Sequence, residues 1–201
     1  ELTSSEIGYM NLPYFLSALI ALGVAPWIST KLGKKRGGML TLAISFGMAP
    51  MPYILRLLGW FPENGTDALF WTLVVFNALE VTLIIIAASL VAAMIADIVE
   101  DSEVKTGRRS EGIFFAANSF AQKAVNGLGV VVAGQILAII QFPTQAKPGE
   151  VPESTIADLA IYYIPVIFFF YILALAVLSL YKINRAGHEA NLRQLADSQN
   201  P

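Results

Sequence analysis

The sequence predicts an all-α, polytopic transmembrane helical bundle, and three observations carry that expectation. Of the 201 residues, 56% are hydrophobic and 14% charged, against roughly 25% charged in a soluble globular domain. The apolar residues gather into five stretches of about twenty residues or more, each long enough to cross a ~30 Å hydrocarbon core as a helix. These stretches are continuous and rich in Leu, Ile, Ala and Phe. They do not alternate apolar and polar residues over strand-length segments, so a barrel is disfavoured, and helices are the other way to satisfy a backbone in lipid.

In chain order the predicted spans are 8–28, 38–58, 69–96, 112–141 and 156–181, followed by a polar tail, 182–201. The second span contains Pro50 and Pro52 and the fifth contains Pro165. An ordinary kink is expected at each, because neighbouring helices can satisfy the freed backbone groups; a moving hinge is the other reading. The connections after spans one, three and five hold ten lysines and arginines, and the opposite side holds Arg56 and Lys147. That excess makes the ten-cation side cytoplasmic and puts the C-terminus there, in a plasma (inner) membrane. Trp27, Tyr53, Trp60, Trp71 and Tyr181 fall near span ends, as interface-seeking aromatics do. The outward segment 142–155 (FPTQAKPGEVPEST) reads as a plain extracellular loop. The tail HEANLRQLADSQNP is expected to be a weakly ordered terminus, a short amphipathic surface helix being the other reading.

The net charge of −2, with no strongly basic face, excludes nucleic acid as a partner. The chain has no cysteine, and its one histidine, His188, lies in the polar tail, so thiolate metal sites are excluded and no metal or cofactor is expected. There is no paired His cluster and no Ser–His arrangement, and the acid-rich segment is interleaved with bases, so an enzyme is not expected. Glu1 stands where a start would carry Met, and no signal peptide precedes the first span; the chain is expected to begin inside a longer protein.

Three constellations carry candidate chemistry. The first connection sets Lys31, Lys34, Lys35 and Arg36 around a glycine-bearing turn, which topology alone could explain. The third, ADIVEDSEVKTGRRSEG (96–112), packs Asp97, Glu100, Asp101, Glu103 and Glu111 around Lys105, Arg108 and Arg109. A positive-inside bias explains the cations but not five carboxylates beside them. Besides a solvated loop, it reads as an ionic latch in which acids at the end of span three pair with Arg109 and with Lys34, Lys35 and Arg36. Exposed pairs worth ~0–1 kcal/mol each could bias such a gate without freezing it. In span four, Lys123 lies near the bilayer centre, where a cation needs a partner or a wet cavity. Ser119, Lys123 and Asn126 fall at i, i+4 and i+7 on one face, flanked by Asn118 and Gln122. Either coupling or substrate binding, or a structural ion pair, would explain Lys123. Glu80, with Asn77 a turn earlier, is an intramembrane carboxylate that reads as a structural polar contact or a transport group, with Lys123 as one candidate partner.

The run 96–112 followed by a lysine in the next helix resembles the signature region of the glycoside-pentoside-hexuronide:cation symporter family. That family is the melibiose permease branch of the major facilitator superfamily. The matching positions are Asp97, Glu100, Glu103, Lys105, Arg109, Glu111 and Lys123, and the turn at 33–37 resembles the superfamily's basic loop motif. The resemblance implies that the five spans correspond to helices 8 to 12 of twelve. It also implies that Lys123, with positions matching Asn118 and Ser119, lies near the sugar and cation sites, facing acids of the missing N-terminal half. It implies cation-coupled symport, sodium or proton, of a sugar or glycoside by alternating access between two helix bundles. A lipid-like or amphiphilic solute is a second reading, and a five-span scaffold or receptor a third.

Overall fold

The computed structural model describes residues 13–63, 65–143, 151–183 and 185–199. The start of the first expected span (8–12) and Lys147 lie outside the described residues. Among the described residues seven helices follow one another: α1 (Pro13–Leu32), α2 (Lys34–Met48), α3 (Met51–Leu57), α4 (Asp67–Thr106), α5 (Glu111–Ile139), α6 (Glu153–Ser179) and α7 (Arg185–Gln199). Among the described residues, α1, α2 with α3, α4, α5 and α6 are the five that by length and composition can cross a membrane, and no strand is present.

Local chemistry sets the breaks. α1 and α2 are separated by Gly33 alone, which takes φ 79°, a left-handed conformation that glycine enters without steric cost. Its N–H still bonds Ser29 O at 3.0 Å, so the chain turns without losing that bond. The second span breaks between Met48 and Met51. Pro50 and Pro52 have no N–H to give to the helix ladder, and the break falls where their donors are missing. α6, by contrast, runs through Pro165.

α4 departs from the expected outline. Its 40 residues continue to Thr106, so the acid-rich run expected as a connection after 96 is helical as far as Thr106. Lys105 bonds Asp101 one turn earlier at 2.6 Å, a pair that supports the last turns of this helix. The helix stops at Gly107, which adopts φ 68° and returns its N–H to Glu103 O at 2.8 Å, the left-handed cap that glycine favours.

α4 is the central element. It packs along α1 and α2, α2 in turn lies on α6, and α5 makes few contacts, with α4 and α6. Ser17, Ala21 and Ala25 form a buried small-residue stripe on α1 that lets its backbone approach α4 closely. Ile86 and Leu90 fill the space against Ala21 and Ala25, and Ser17 Oγ donates to Ala78 O at 2.9 Å. Where α2 begins, a Cβ on Gly37 would strike Ile28 Cγ2. The tail, expected as weakly ordered, contains the helix α7, which packs against the end of α4. The reason is chemical: its face carries His188 and Asn191, whose partners are the carboxylates that close α4.

Candidate functional site

Asp97, Glu100 and Asp101 follow at i, i+3 and i+4 on α4 and therefore share a face. Asp97 is the centre, with 3% of its surface exposed. Lys34 Nζ, at the start of α2, lies 2.5 Å from Asp97 Oδ1, and the Tyr181 hydroxyl donates to Oδ2 at 2.6 Å. Burial, and then this hydrogen bond to a carboxylate, push the Tyr181 phenol well above the usual tyrosine range. Lys35 Nζ donates to Ser179 O and Tyr181 O, each at 2.6 Å. It thereby satisfies carbonyls left over where α6 ends and favours the negative pole of that helix. Two adjacent lysines thus tie the ends of α2, α4 and α6 together.

Further ion pairs lie outside this knot. Arg109 reaches Glu103 at 3.3 Å and Glu111 at 3.1 Å, and Lys105 pairs with Asp101 at 2.6 Å. The Arg109 side chain is 59% exposed, so its pairs are worth ~0–1 kcal/mol each. Breaking the Lys34–Asp97 pair would strand a nearly buried carboxylate, which is the costly case.

Of the residues expected in the latch, the structure brings Lys34 to Asp97, Arg109 to Glu103 and Glu111, and Lys105 to Asp101. It does not bring Glu100 to Arg109: Glu100 Oε2 lies 2.9 Å from His188 Nδ1. Lys35 takes carbonyl partners, and Arg36 is exposed without an ion pair among the described residues. His188, Tyr181 and Asn191 were missed by sequence reasoning. The signal available was the spacing of His188 and Asn191, one helical turn apart, which would have suited acids three and four apart on another helix.

Asp97, Glu100 and His188 offer donor atoms within 4.8 Å of one another, a spacing that could hold a metal ion. The Lys34 ammonium already occupies Asp97 Oδ1 and would repel a dication, so the cluster suits a proton better than a metal.

The second candidate region is the polar face of α5. Lys123, Ser119 and Asn126 are exposed and Asn118 is half-buried, and Lys123 makes no ion pair among the described residues. Glu80 is half-buried on α4 and does not pair with Lys123. At the other end of α6, a cleft of about 390 Å³ is lined by Tyr53, Arg56, Glu153 and Ile156 among others.

A family model described as "MFS/sugar transport protein" matches residues 1–185. The chain belongs to this family. As an MFS/sugar transport protein it is an integral membrane protein, and the long apolar helices are its membrane-crossing elements. It is 28% identical to the "uncharacterized symporter sll1374" of Synechocystis over 206 residues, covering 98% of this chain and 35% of that protein. It is 32% identical to the "putative glycoside/cation symporter YagG" of Escherichia coli over 51% of this chain and 22% of that one. It is 30% identical to the "isoprimeverose transporter" of Lactiplantibacillus pentosus over 61% of this chain and 24% of that one. The chain thus spans about a third or less of the length of these relatives. No solved structure matches it.

Proposed function

We propose that this chain is part of the C-terminal half of a secondary active transporter that couples sodium or proton entry to uptake of a sugar or glycoside by alternating access. The observation that carries the reading is the family match across the membrane-crossing helices, together with relatives named as symporters and sugar transporters. The five crossing helices take the place of helices 8 to 12. The protein lies in the plasma (inner) membrane with its basic end, and the tail, in the cytoplasm; the ten-to-two distribution of cations supports that orientation. No catalytic step or bound cofactor is involved.

In this reading the two charged regions have separate tasks. The knot of Lys34, Lys35, Asp97 and Tyr181 makes the cytoplasmic ends of α2, α4 and α6 move as one body. The exposed pairs of Arg109 with Glu103 and Glu111 form and break at low cost as the cytoplasmic side closes and opens. Lys123, with Asn118, Ser119 and Asn126, lines the solute path, since an uncompensated ammonium at membrane depth must face water, solute or an acid from the other half of the protein. Glu80, half-buried on α4, serves packing rather than transport.

The test uses the intact polypeptide in proteoliposomes with an imposed sodium or proton gradient. Labelled glycosides, beginning with isoprimeverose because one relative is named for it, should accumulate under at least one gradient. No accumulation of any glycoside under either gradient, from protein shown to be folded, would overturn the reading.

A further inference from the structure

The cleft between α3 and α6 lies at the end of the bundle opposite the Lys34–Asp97 knot, and the transport reading leaves it unused. α3 ends there and α6 begins there, and the rings of Tyr53 and Tyr163 join the two helices with centroids 4.9 Å apart. Arg56 falls in the last turn of α3 and Glu153 in the first turn of α6, where the helix dipole favours a cation and an anion respectively. The exposed Leu57 and Ile156 wall the same cleft, and Tyr53 and Ser154 add hydroxyl groups to it. Trp60, just beyond α3, is exposed, an aromatic of the kind that marks a membrane–water boundary.

Arg56 and Glu153 share this cleft without pairing. Among the described residues Glu153 makes no ion pair or side-chain hydrogen bond, and Arg56 makes one bond, to Pro62 O at 3.5 Å, longer than a usual N–H···O bond. The guanidinium therefore keeps most of its five donors, and the carboxylate its lone pairs, for a ligand. A group placed between them meets a cation on one wall, an anion on another and aliphatic carbon beside both. An anion alone would be drawn to Arg56 and repelled by Glu153, and a cation alone the reverse. A zwitterion with an apolar body satisfies both charges at once, and at a membrane boundary the bilayer itself supplies such a molecule.

We propose that this cleft holds the headgroup of a zwitterionic phospholipid with a primary amine, its phosphate on Arg56, its ammonium on Glu153 and its glycerol end against Leu57 and Ile156. The guanidinium fork fits two phosphate oxygens. An ammonium with three N–H groups donates directly to the carboxylate, which a quaternary amine cannot do. Bound there, the lipid bridges α3 and α6, which no ion pair joins among the described residues. The site stands apart from Lys123 and from the knot, and it does not depend on which solute is carried.

Native mass spectrometry of the intact protein, purified in detergent and titrated with short-chain phosphatidylethanolamine or phosphatidylglycerol, reads the site as a ratio of affinities. The unsubstituted protein should bind phosphatidylethanolamine about tenfold more tightly, the worth of one charge-assisted hydrogen bond. Glu153→Gln should erase that preference and leave phosphatidylglycerol bound at least as well as before. Arg56→Gln should weaken both lipids about tenfold, since both present a phosphate. Unfolding midpoints measured without lipid should stay the same in both variants, which separates a lost site from a damaged fold. Equal affinity for the two lipids in the unsubstituted protein, or a preference that survives in Glu153→Gln, would overturn the proposal. Lipid binding untouched by both substitutions would mean that another part of the polypeptide fills the cleft, and would overturn it as well.

Discussion

Replacing Asp97 by asparagine removes one charge and almost no volume, so its effect isolates the electrostatic part of the knot. The introduced amide oxygen can still accept from Tyr181, but the Lys34 ammonium loses its counter-ion. Removing one member of a buried pair costs about 3–5 kcal/mol. The Lys34 side chain is 26% exposed against 4% for Asp97, so water recovers part of the loss and about 2–3 kcal/mol is expected. Removing both charges should restore most of it, because Lys34→Met with Asp97→Asn leaves no buried ion unpaired. The assay is thermal or denaturant unfolding of the intact protein in detergent, run as a double-mutant cycle with Arg109→Gln as the reference for an exposed pair. A coupling energy of about 2 kcal/mol between Lys34 and Asp97 is expected, against less than about 1 kcal/mol for Arg109→Gln. Equal costs for Asp97→Asn and Arg109→Gln would refute the distinction between a buried knot and exposed pairs.

The remaining predictions concern separate parts of the molecule. Tyr181 has a phenol raised above its ordinary value of 10.0; the folded state therefore holds this proton more tightly than the unfolded chain. Its contribution is complete below about pH 10 and declines as pH rises from there, so the unfolding midpoint should fall above pH 10 more steeply in the unsubstituted protein than in Tyr181→Phe. Gly37→Ala puts a methyl group into the stiff side chain of Ile28, and the overpacking should cost about 1–3 kcal/mol, read as a lower unfolding midpoint. Lys123→Gln should leave that midpoint within about 0.5 kcal/mol, because the ammonium has no ion pair among the described residues. The same variant should lose substrate affinity or gradient-driven stimulation of uptake; a variant with both intact would remove Lys123 from the solute path.

The five crossing helices were legible because hydrocarbon thickness sets a minimum apolar length, and composition alone reports it. A kink at Pro50 was legible as well, since a missing N–H is a local fact, although the helix stops between Met48 and Met51 where only a bend was expected. What lay beyond reach was pairing across distance. Asp97, Glu100, Lys34 and Arg109 could be picked out as charges near a membrane boundary, but which acid would meet which base depends on how α2, α4 and α7 come together. Lys34 and Asp97 are 63 positions apart, and nothing in the segment around either favours that partner over the neighbouring lysine or carboxylate. The extension of α4 to Thr106 was hidden for a different reason: charges mark the end of an apolar run, and a helix can outlast its apolar part. His188 reads in the sequence as part of a solvated tail, because a lone histidine among polar residues signals nothing until its acidic partners are brought beside it.

The continuity of α4 has a mechanical consequence. Forty residues without a break make a rod of about 60 Å, roughly twice the hydrocarbon thickness, so its charged end stands well outside the part gripped by lipid and by α1. Such a rod is a lever. A tilt of about 10° around the bilayer midplane would swing the end, about 30 Å away, through about 5 Å, more than the length of any ion pair described above. A modest rearrangement among apolar side chains is thereby magnified into making or breaking contacts at the surface, and a loop in place of the last three turns of α4 would absorb that motion instead of transmitting it.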